Sequence, residues 1–196
     1  MFNDTSSLAA YLATRRSSRP RDLAEPGPDA AQLREILAIA ARTPDHGKLA
    51  PWRFVHVRKE DRAAFGDMLE AAYRAGRPEA GRLEIEAAHI FANQAPELVV
   101  VLSSPKESPK IPLWEQELSC GAAAMNLLHA AHAMGFAGGW VTGWAAYSDA
   151  VLEALGGRAP ERVAGFLFLG TAAGTLEERL RPELDSVVET WAPKAG

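Results

Sequence analysis

The sequence predicts an α+β fold in which helices cover a sheet, and three observations lead to this class. Along the chain, the predicted elements follow the order helix, helix, strand, helix, helix, strand, helix, strand, helix, strand. Helices therefore come in pairs, whereas a doubly wound fold alternates strands with single helices. No G-x-G-x-x-G motif follows the first strand, which argues against a Rossmann nucleotide site. With 196 residues, 47% of them hydrophobic, the chain suits one domain with a sizeable core.

Local patterns set the individual elements. A serine opens the first predicted helix, residues 6–16. Asp29 and Gln32 make a capping-box-like start for the second helix, which runs to about Ala41. The alternation in "RFVHV" predicts a strand at 53–57. The remaining predicted elements are helices at 61–75, 79–91, 113–134 and 148–155, strands at 97–103 and 162–171, a polar loop at 103–110 and a Gly-rich strand or loop at 135–144.

The long helix at 113–134 has an unusual composition. It carries no formal charge after Glu117 and is dense in Ala and Gly. A helix that is uncharged on all sides is buried. In a chain of this size, the pattern predicts burial by a second subunit as well as by the chain's own sheet.

Composition excludes several classes of function. The formal net charge is −4, so the chain is not a polyanion binder by composition. The longest uncharged run, 118–148, is interrupted by polar residues and glycines and does not predict a membrane span. Cys120 is the only cysteine, so no intrachain disulfide forms. The N-terminus lacks the basic region of a secretory signal, and we expect a cytoplasmic protein.

Four stretches carry candidate binding residues, and each has a structural and a functional interpretation. The first, "RRSSR", offers Arg15, Arg16, Ser17 and Arg19. These residues form either a helix end stabilised by cations or a phosphate clamp, because arginine presents a fork of donors with a fixed charge. A nucleic-acid contact is disfavoured, since the cluster is small and the chain is acidic.

The second stretch, "PDHGKLAPW", places Asp45, His46 and Lys48 in a loop closed by two prolines. It is either a capped helix end or a ligand contact. The third, "GFAGGWVTGW", has glycines that permit close approach of a ligand to the backbone, or tight packing on the long helix. The fourth is the pair Arg179 and Arg181, which are surface charges unless they fold back toward the first cluster.

Other candidates are weaker. His129 and His132 lie three residues apart on one helix face, but no further ligands stand at suitable spacing, so packing or hydrogen bonding is favoured over a metal site. Cys120 has no identifiable base and is expected to be a small core residue. There is also no G-x-S-x-G, no H-E-x-x-H and no P-loop motif, and we assign no metal.

Taken in order, these stretches resemble the nitroreductase family of FMN-dependent flavoproteins, in particular its short-chain branch with a Pro-Asp-His loop. "WEQELSCGAAAMNLLHAAHAMG" is similar to the family's long central helix, and "GFLFLGT" is similar to its late core strand. The resemblance covers nearly the whole chain, 1–196, as one FMN-binding domain. It implies a mostly antiparallel or mixed sheet flanked by helices, in an intertwined homodimer with two FMN sites at the interface.

The resemblance also implies roles for the four stretches. The residues it would assign to FMN are Arg15, Arg16 and Ser17 at the phosphate with help from Arg19; Asp45, His46 and Lys48 from the partner subunit; Gly139, Trp140, Val141, Thr142 and Gly143 along the isoalloxazine; and Arg179 or Arg181 completing the phosphate site. Lys48 and Ala50 stand where the larger branch has Asn and Gln, so their contacts are open.

The implied activity is ping-pong hydride transfer from NAD(P)H through FMN to nitroaromatics, quinones or related small oxidants. The flavin supplies the difficult chemistry and the protein tunes and orients it. No side chain need act as an acid or base, so we assign no catalytic residue. Two alternatives stay open: a non-catalytic FMN-binding or sensing module, and a specialised flavin reaction on the same scaffold.

Overall fold

The computed structural model describes residues 1–193. Its helices are α1 (Leu8–Thr14), α2 (Ala30–Ala40), α3 (Arg62–Gly76), α4 (Arg82–Asn93), α5 (Leu113–Ala133) and α6 (Asp149–Ala154). Its strands are β1 (Leu23–Ala24), β2 (Trp52–Val57), β3 (Glu97–Ser103), β4 (Ala137–Val141) and β5 (Arg162–Ala172). The predicted helices and strands are confirmed, with ends displaced by no more than three residues. The two-residue β1 was not predicted, because it is too short to show a pattern.

The strands form one antiparallel sheet in the order β1-β5-β3-β2, and β4 also pairs with β5. The 11-residue β5 is the central strand. It pairs with β3 along residues 162–169, with β4 along 166–170 and with the short β1 at 171–172. The predicted α+β fold with a mostly antiparallel sheet is therefore confirmed.

Each face of the sheet supports its own apolar core, because side chains alternate along β3 and β5. Phe166 and Phe168 point to the face covered by α3, α4 and α6. Leu167 and Leu169 point to the opposite face, which is covered by α2 and α5. All four side chains are fully buried.

The helix boundaries follow from their caps. The Ser7 side chain accepts from the backbone N–H of Ala10, so Ser7 is the serine that opens α1. The predicted capping box at α2 is present, with both reciprocal bonds between Asp29 and Gln32. No helix among residues 1–193 is long and apolar enough to cross a membrane.

The long helix α5 is only partly covered by its own chain. Cys120, Ala124 and Leu127 are buried against the sheet. On the outer side, however, Trp114 is 67% exposed and Leu118 is 54% exposed. One chain therefore does not bury α5 on all sides, and the first half of the helix presents an uncovered apolar surface. The predicted second subunit would have to cover it.

Candidate functional site

The N-terminal segment 15–19 docks on the free edge of β4. The backbone N–H of Ser18 donates to the Gly138 carbonyl at 2.9 Å. A Cβ at position 139 would lie within 3.0 Å of the Ser18 carbonyl oxygen, so this close approach requires glycine. The structure thus brings the first and third predicted stretches together through their backbones.

This docking also shows which way β4 presents its polar groups. The Gly138 carbonyl points away from β5, and the alternation along a strand then directs the backbone of Trp140 to the same edge. The Trp140 indole is used elsewhere: its Nε1 donates to the Ala164 carbonyl at 3.0 Å, and its ring fills the space over Gly165. Trp140 therefore offers a ligand its backbone rather than its ring.

Arg16 links the first cluster to the C-terminal stretch. Its backbone is fixed by Asn3, whose side chain accepts from the Arg16 N–H at 2.8 Å and donates to the Arg16 carbonyl at 3.1 Å. Its Nε donates to the Glu177 carbonyl at 2.7 Å and lies 3.9 Å from the Glu178 carboxylate. That carboxylate also accepts from Arg181 Nη2 at 3.3 Å. The fourth stretch therefore lies beside the first.

Two buried polar atoms in this segment have no hydrogen-bond partner among residues 1–193, Arg15 Nε and Ser18 Oγ. A buried polar group without a partner costs free energy, so it is typical of a position that a ligand satisfies. The half-buried Ser17 lies between them, and the exposed Arg19 follows. This end of the site thus concentrates cationic and hydroxyl donors, the chemistry that binds a phosphate.

Arg15 also lies close to two imidazoles at the end of α5. Burial, and to a smaller extent the charge of Arg15, lowers the pKa of His129 below its ordinary value. Burial, the charge of Arg15 and, least, the neighbouring His129 lower the pKa of His132 to about 4. Both rings are therefore neutral near pH 7, and Arg15 is the charged group of this corner.

The loop with Asp45, His46 and Lys48 lies elsewhere. His46 Nδ1 is 2.9 Å from a carboxylate oxygen of Glu115, near the start of α5. Asp45 is used locally, because its carboxylate accepts from the Ala50 N–H at 2.7 Å. Arg15 is close to His132 near the other end of α5, about 25 Å farther along at 1.5 Å per residue. One chain therefore does not bring the loop to the other three stretches.

A mostly apolar cavity of about 320 Å³ opens beyond the end of β4. It is lined by Leu69, Tyr73, Glu84, Ala87, Ala88, Phe91, Thr142, Gly143, Trp144 and Ala145. The rings of Tyr73 and Trp144 meet edge-on with centroids 4.8 Å apart. Gly143 has φ of 98°, a conformation that favours glycine, and it turns the chain from β4 into this wall. The cavity suits a flat ring adjoining the Thr142–Gly143 segment.

Sequence reasoning missed several residues of this corner. Ser18 lies inside "RRSSR" but was passed over for Ser17, and Asn3 carries no pattern that predicts its contacts. In contrast, the prediction that His129 and His132 serve packing or hydrogen bonding is confirmed, because both rings contact the Tyr11 hydroxyl. Cys120 is buried, as predicted, and burial raises the pKa of its thiol to about 11.

Comparisons with known proteins agree with this architecture. The model of the "Nitroreductase family" matches residues 12–171. The Escherichia coli (strain K12) protein named "Putative NAD(P)H nitroreductase YdjA" is 40% identical over 164 residues, which are 83% of this chain and 87% of that protein. A "Nitroreductase-like Family Protein" from Bacillus cereus has the same fold, with a TM-score of 0.77, 23% identity and coverage of 94% of this chain and 96% of that one. So does the "FMN and NADPH-dependent nitroreductase NfnB" of sphigopyxis sp. strain HMH, with a TM-score of 0.72, 22% identity and coverage of 95% and 99%. On its sequence, the chain belongs to the nitroreductase family.

Proposed function

We propose that this chain is an FMN-dependent oxidoreductase that uses NAD(P)H to reduce small oxidants such as nitroaromatics and quinones in a ping-pong cycle. The observation that carries the proposal is the convergence of Arg15, Arg16 and Ser18 on the free edge of β4, with Arg15 Nε and Ser18 Oγ buried and unpartnered among residues 1–193. The names of the E. coli relative and of NfnB, which specify NAD(P)H and FMN, support the choice of cofactor and reductant.

The phosphate end is assigned to the N-terminal segment. Arg15 and Ser18 have free donors there, Ser17 lies between them, and Arg16 stands next to the C-terminal stretch. A phosphate would also draw in Arg19 and either Arg179 or Arg181, all of which are exposed. The donor set fits a phosphate because it combines fixed cations with hydroxyls.

The ring end is assigned to β4 and the segment that follows it. Trp140 presents its backbone at the free edge, and Gly139 leaves room for the N-terminal segment to approach. Val141, Thr142 and Gly143 continue toward the 320 Å³ cavity. A flat isoalloxazine along this edge would leave the aromatic cavity for the nicotinamide and then for the oxidant. Successive use of one cavity by the two substrates is compatible with a ping-pong cycle.

The remaining contacts are assigned to a second copy of the chain. Asp45, His46 and Lys48 lie at the opposite end of α5 from Arg15, so they reach a phosphate and ring site only in a partner subunit. We therefore propose a homodimer with a cofactor site shared between subunits, and one FMN-binding domain spanning 1–196. The cytoplasmic location stays a prediction.

Bound FMN would supply the redox chemistry, accepting a hydride from NAD(P)H and passing electrons to the oxidant. The protein's part is to bind and orient. The N-terminal cations would hold the phosphate, the backbone of β4 would lie along the ring, and Lys48 of the second copy would place a positive charge near it. No side chain is required as a general acid or base.

The test begins with the absorption spectrum of the purified protein. We expect a yellow protein that releases FMN on denaturation, and anaerobic NADH or NADPH should bleach it. Adding a nitroaromatic or a quinone should restore the colour. A colourless protein that fails to bind added FMN would refute the flavin assignment. Bound FMN that stays oxidised under both nucleotides would instead favour the non-catalytic binding module.

A variant pair assigns the phosphate end. Arg15→Ala should weaken FMN binding, whereas Arg34→Ala, which removes an exposed arginine on α2, should not. Equal FMN affinity in the two variants would show that Arg15 does not bind the phosphate.

A further inference from the structure

We propose that Tyr11, His129 and His132 form a buried network that positions Arg15 for the cofactor phosphate without neutralising its charge. The inference rests on the proposed placement of the phosphate and adds residues that no part of the family resemblance assigns. Tyr11, His129 and His132 are positioning residues here, since they act through Arg15.

The network is built on one hydroxyl. Tyr11 is 4% exposed, and its hydroxyl lies 2.8 Å from His129 Nδ1 and 2.7 Å from His132 Nδ1. A phenol has one proton, so it donates to one Nδ1 and accepts from the other ring's Nδ1–H. The two imidazoles are thus held in different tautomers. Both rings meet Tyr11 edge-on, at centroid distances of 5.4 and 5.6 Å.

The position of Tyr11 on α1 explains how this reaches Arg15. Arg15 is the C-cap residue of α1, four residues after Tyr11, so both project from the same face of the helix. Fixing the Tyr11 hydroxyl against α5 therefore fixes the helix end from which Arg15 extends. The Arg15 charge acts on both histidines, which places its guanidinium near the network.

The chemistry of the anchor matters as much as its position. A carboxylate anchor would pair with Arg15 and compete with a phosphate for it. A phenol and two neutral imidazoles fix the helix without offering Arg15 a counter-ion. None of the ion pairs within residues 1–193 includes Arg15. Arg15 Nε and His132 Nε2 are both buried there without partners, so the polar capacity of this corner remains available to a ligand.

The experiment compares FMN with riboflavin, which has the same ring but no phosphate. Dissociation constants of both are measured by quenching of flavin fluorescence on Tyr11→Phe, with Tyr147→Phe as the matched control, since the Tyr147 side chain is 80% exposed. We expect Tyr11→Phe to raise the Kd for FMN about tenfold, the effect of roughly one hydrogen bond, and to leave the Kd for riboflavin unchanged. Equal weakening of both flavins would mean a merely structural role and would overturn the proposal, as would unchanged binding of FMN.

A double-mutant cycle separates this inference from the function on which it rests. With Arg15 already replaced by Ala, Tyr11→Phe should have no further effect on FMN binding. If Arg15→Ala alone leaves the ratio of the two dissociation constants unchanged, the phosphate placement fails. If Arg15→Ala changes the ratio and Tyr11→Phe does not, only the network fails. If Tyr11→Phe does not fold, His129→Leu replaces it, at a histidine that is only half-buried. His129→Leu should raise the Kd for FMN relative to that for riboflavin by less than tenfold, and an unchanged ratio would overturn the network.

Discussion

Gly139→Ala tests the contact on which the whole candidate site depends. Position 139 is where β4 and the N-terminal segment come closest, and an added Cβ would lie within 3.0 Å of the Ser18 carbonyl oxygen. That oxygen belongs to backbone, so it has no rotamer by which to move aside. Relief requires the segment 15–19 to move away from β4, which also stretches the hydrogen bond from Ser18 N–H to the Gly138 carbonyl.

The expected size of the effect follows from these two contributions. Overpacking of a tight contact costs about 1–3 kcal/mol, and a lost backbone hydrogen bond adds about 1 kcal/mol. The segment reduces this cost by shifting, and the shift displaces Arg15, Ser17 and Ser18 from the proposed phosphate position. If about 2 kcal/mol of that cost falls on cofactor binding, the Kd for FMN rises about thirtyfold.

The assay is titration of apoprotein with FMN, followed by quenching of flavin fluorescence, alongside thermal unfolding of the apoprotein. Gly76→Ala is the matched control, because it makes the same chemical change where no atom lies within 4 Å of the added Cβ. We expect the control to bind FMN like the wild type. If Gly139→Ala binds FMN within twofold of the wild type, the close approach of the two segments does not build the site.

Three further predictions follow from other parts of the chain. Arg62 is 3% exposed and donates to four backbone carbonyls, one at the end of β2 and three at or just after the end of α4. Arg62→Met leaves these carbonyls without their donor, so it should lower the free energy of unfolding in urea by about 3 kcal/mol. A decrease below about 1 kcal/mol would show that water replaces the guanidinium. Burial lowers the pKa of His132 to about 4, so the unfolded chain binds a proton between pH 6.5 and 4 that the folded chain does not. From pH 7 to 5 the free energy of unfolding should therefore fall by about 2 kcal/mol more in the wild type than in His132→Leu, in which the lowered pKa of His129 still acts. Equal pH dependence of the two proteins would exclude His132 as a cause. Charges on the exposed apolar face of α5, in Trp114→Glu with Leu118→Asp, should yield monomers by light scattering that bind FMN poorly, and a monomer with wild-type FMN affinity would contradict a shared site.

The fold was accessible from the sequence because its signals are local. The capping box at Asp29 and Gln32 and the alternation in β2 each lie within a few residues, and the structure reproduces both. The antiparallel arrangement came from the family resemblance instead, since strand order depends on contacts between residues far apart in the chain. Among the described strands, β1 escaped because two residues pairing with the end of β5 leave no periodic pattern.

The candidate site was only partly accessible. "RRSSR" draws attention through its charges, but charge alone does not separate Ser17 from Ser18, and only the fold shows that Ser18 is buried against β4. Asn3 fixes the Arg16 backbone across thirteen residues of chain, and a lone asparagine near the N-terminus has no signal for that role. Tyr11 is similar, because its partners lie more than a hundred residues away.

The position of the loop at 45–48 supports the proposal that two chains share this site. The uncharged pattern of α5 predicts burial on all sides, yet Trp114 and Leu118 remain exposed, near the end of α5 that the loop contacts through Glu115. A symmetric pair of chains that sets two α5 helices antiparallel would cover this apolar face in both copies. In such a pair, the loop of each chain would lie beside the far end of the partner's α5, where the partner's Arg15 lies. Burial of α5 and completion of the binding site are then one event, so a substitution that uncovers α5 should weaken dimerisation and cofactor binding in the same proportion.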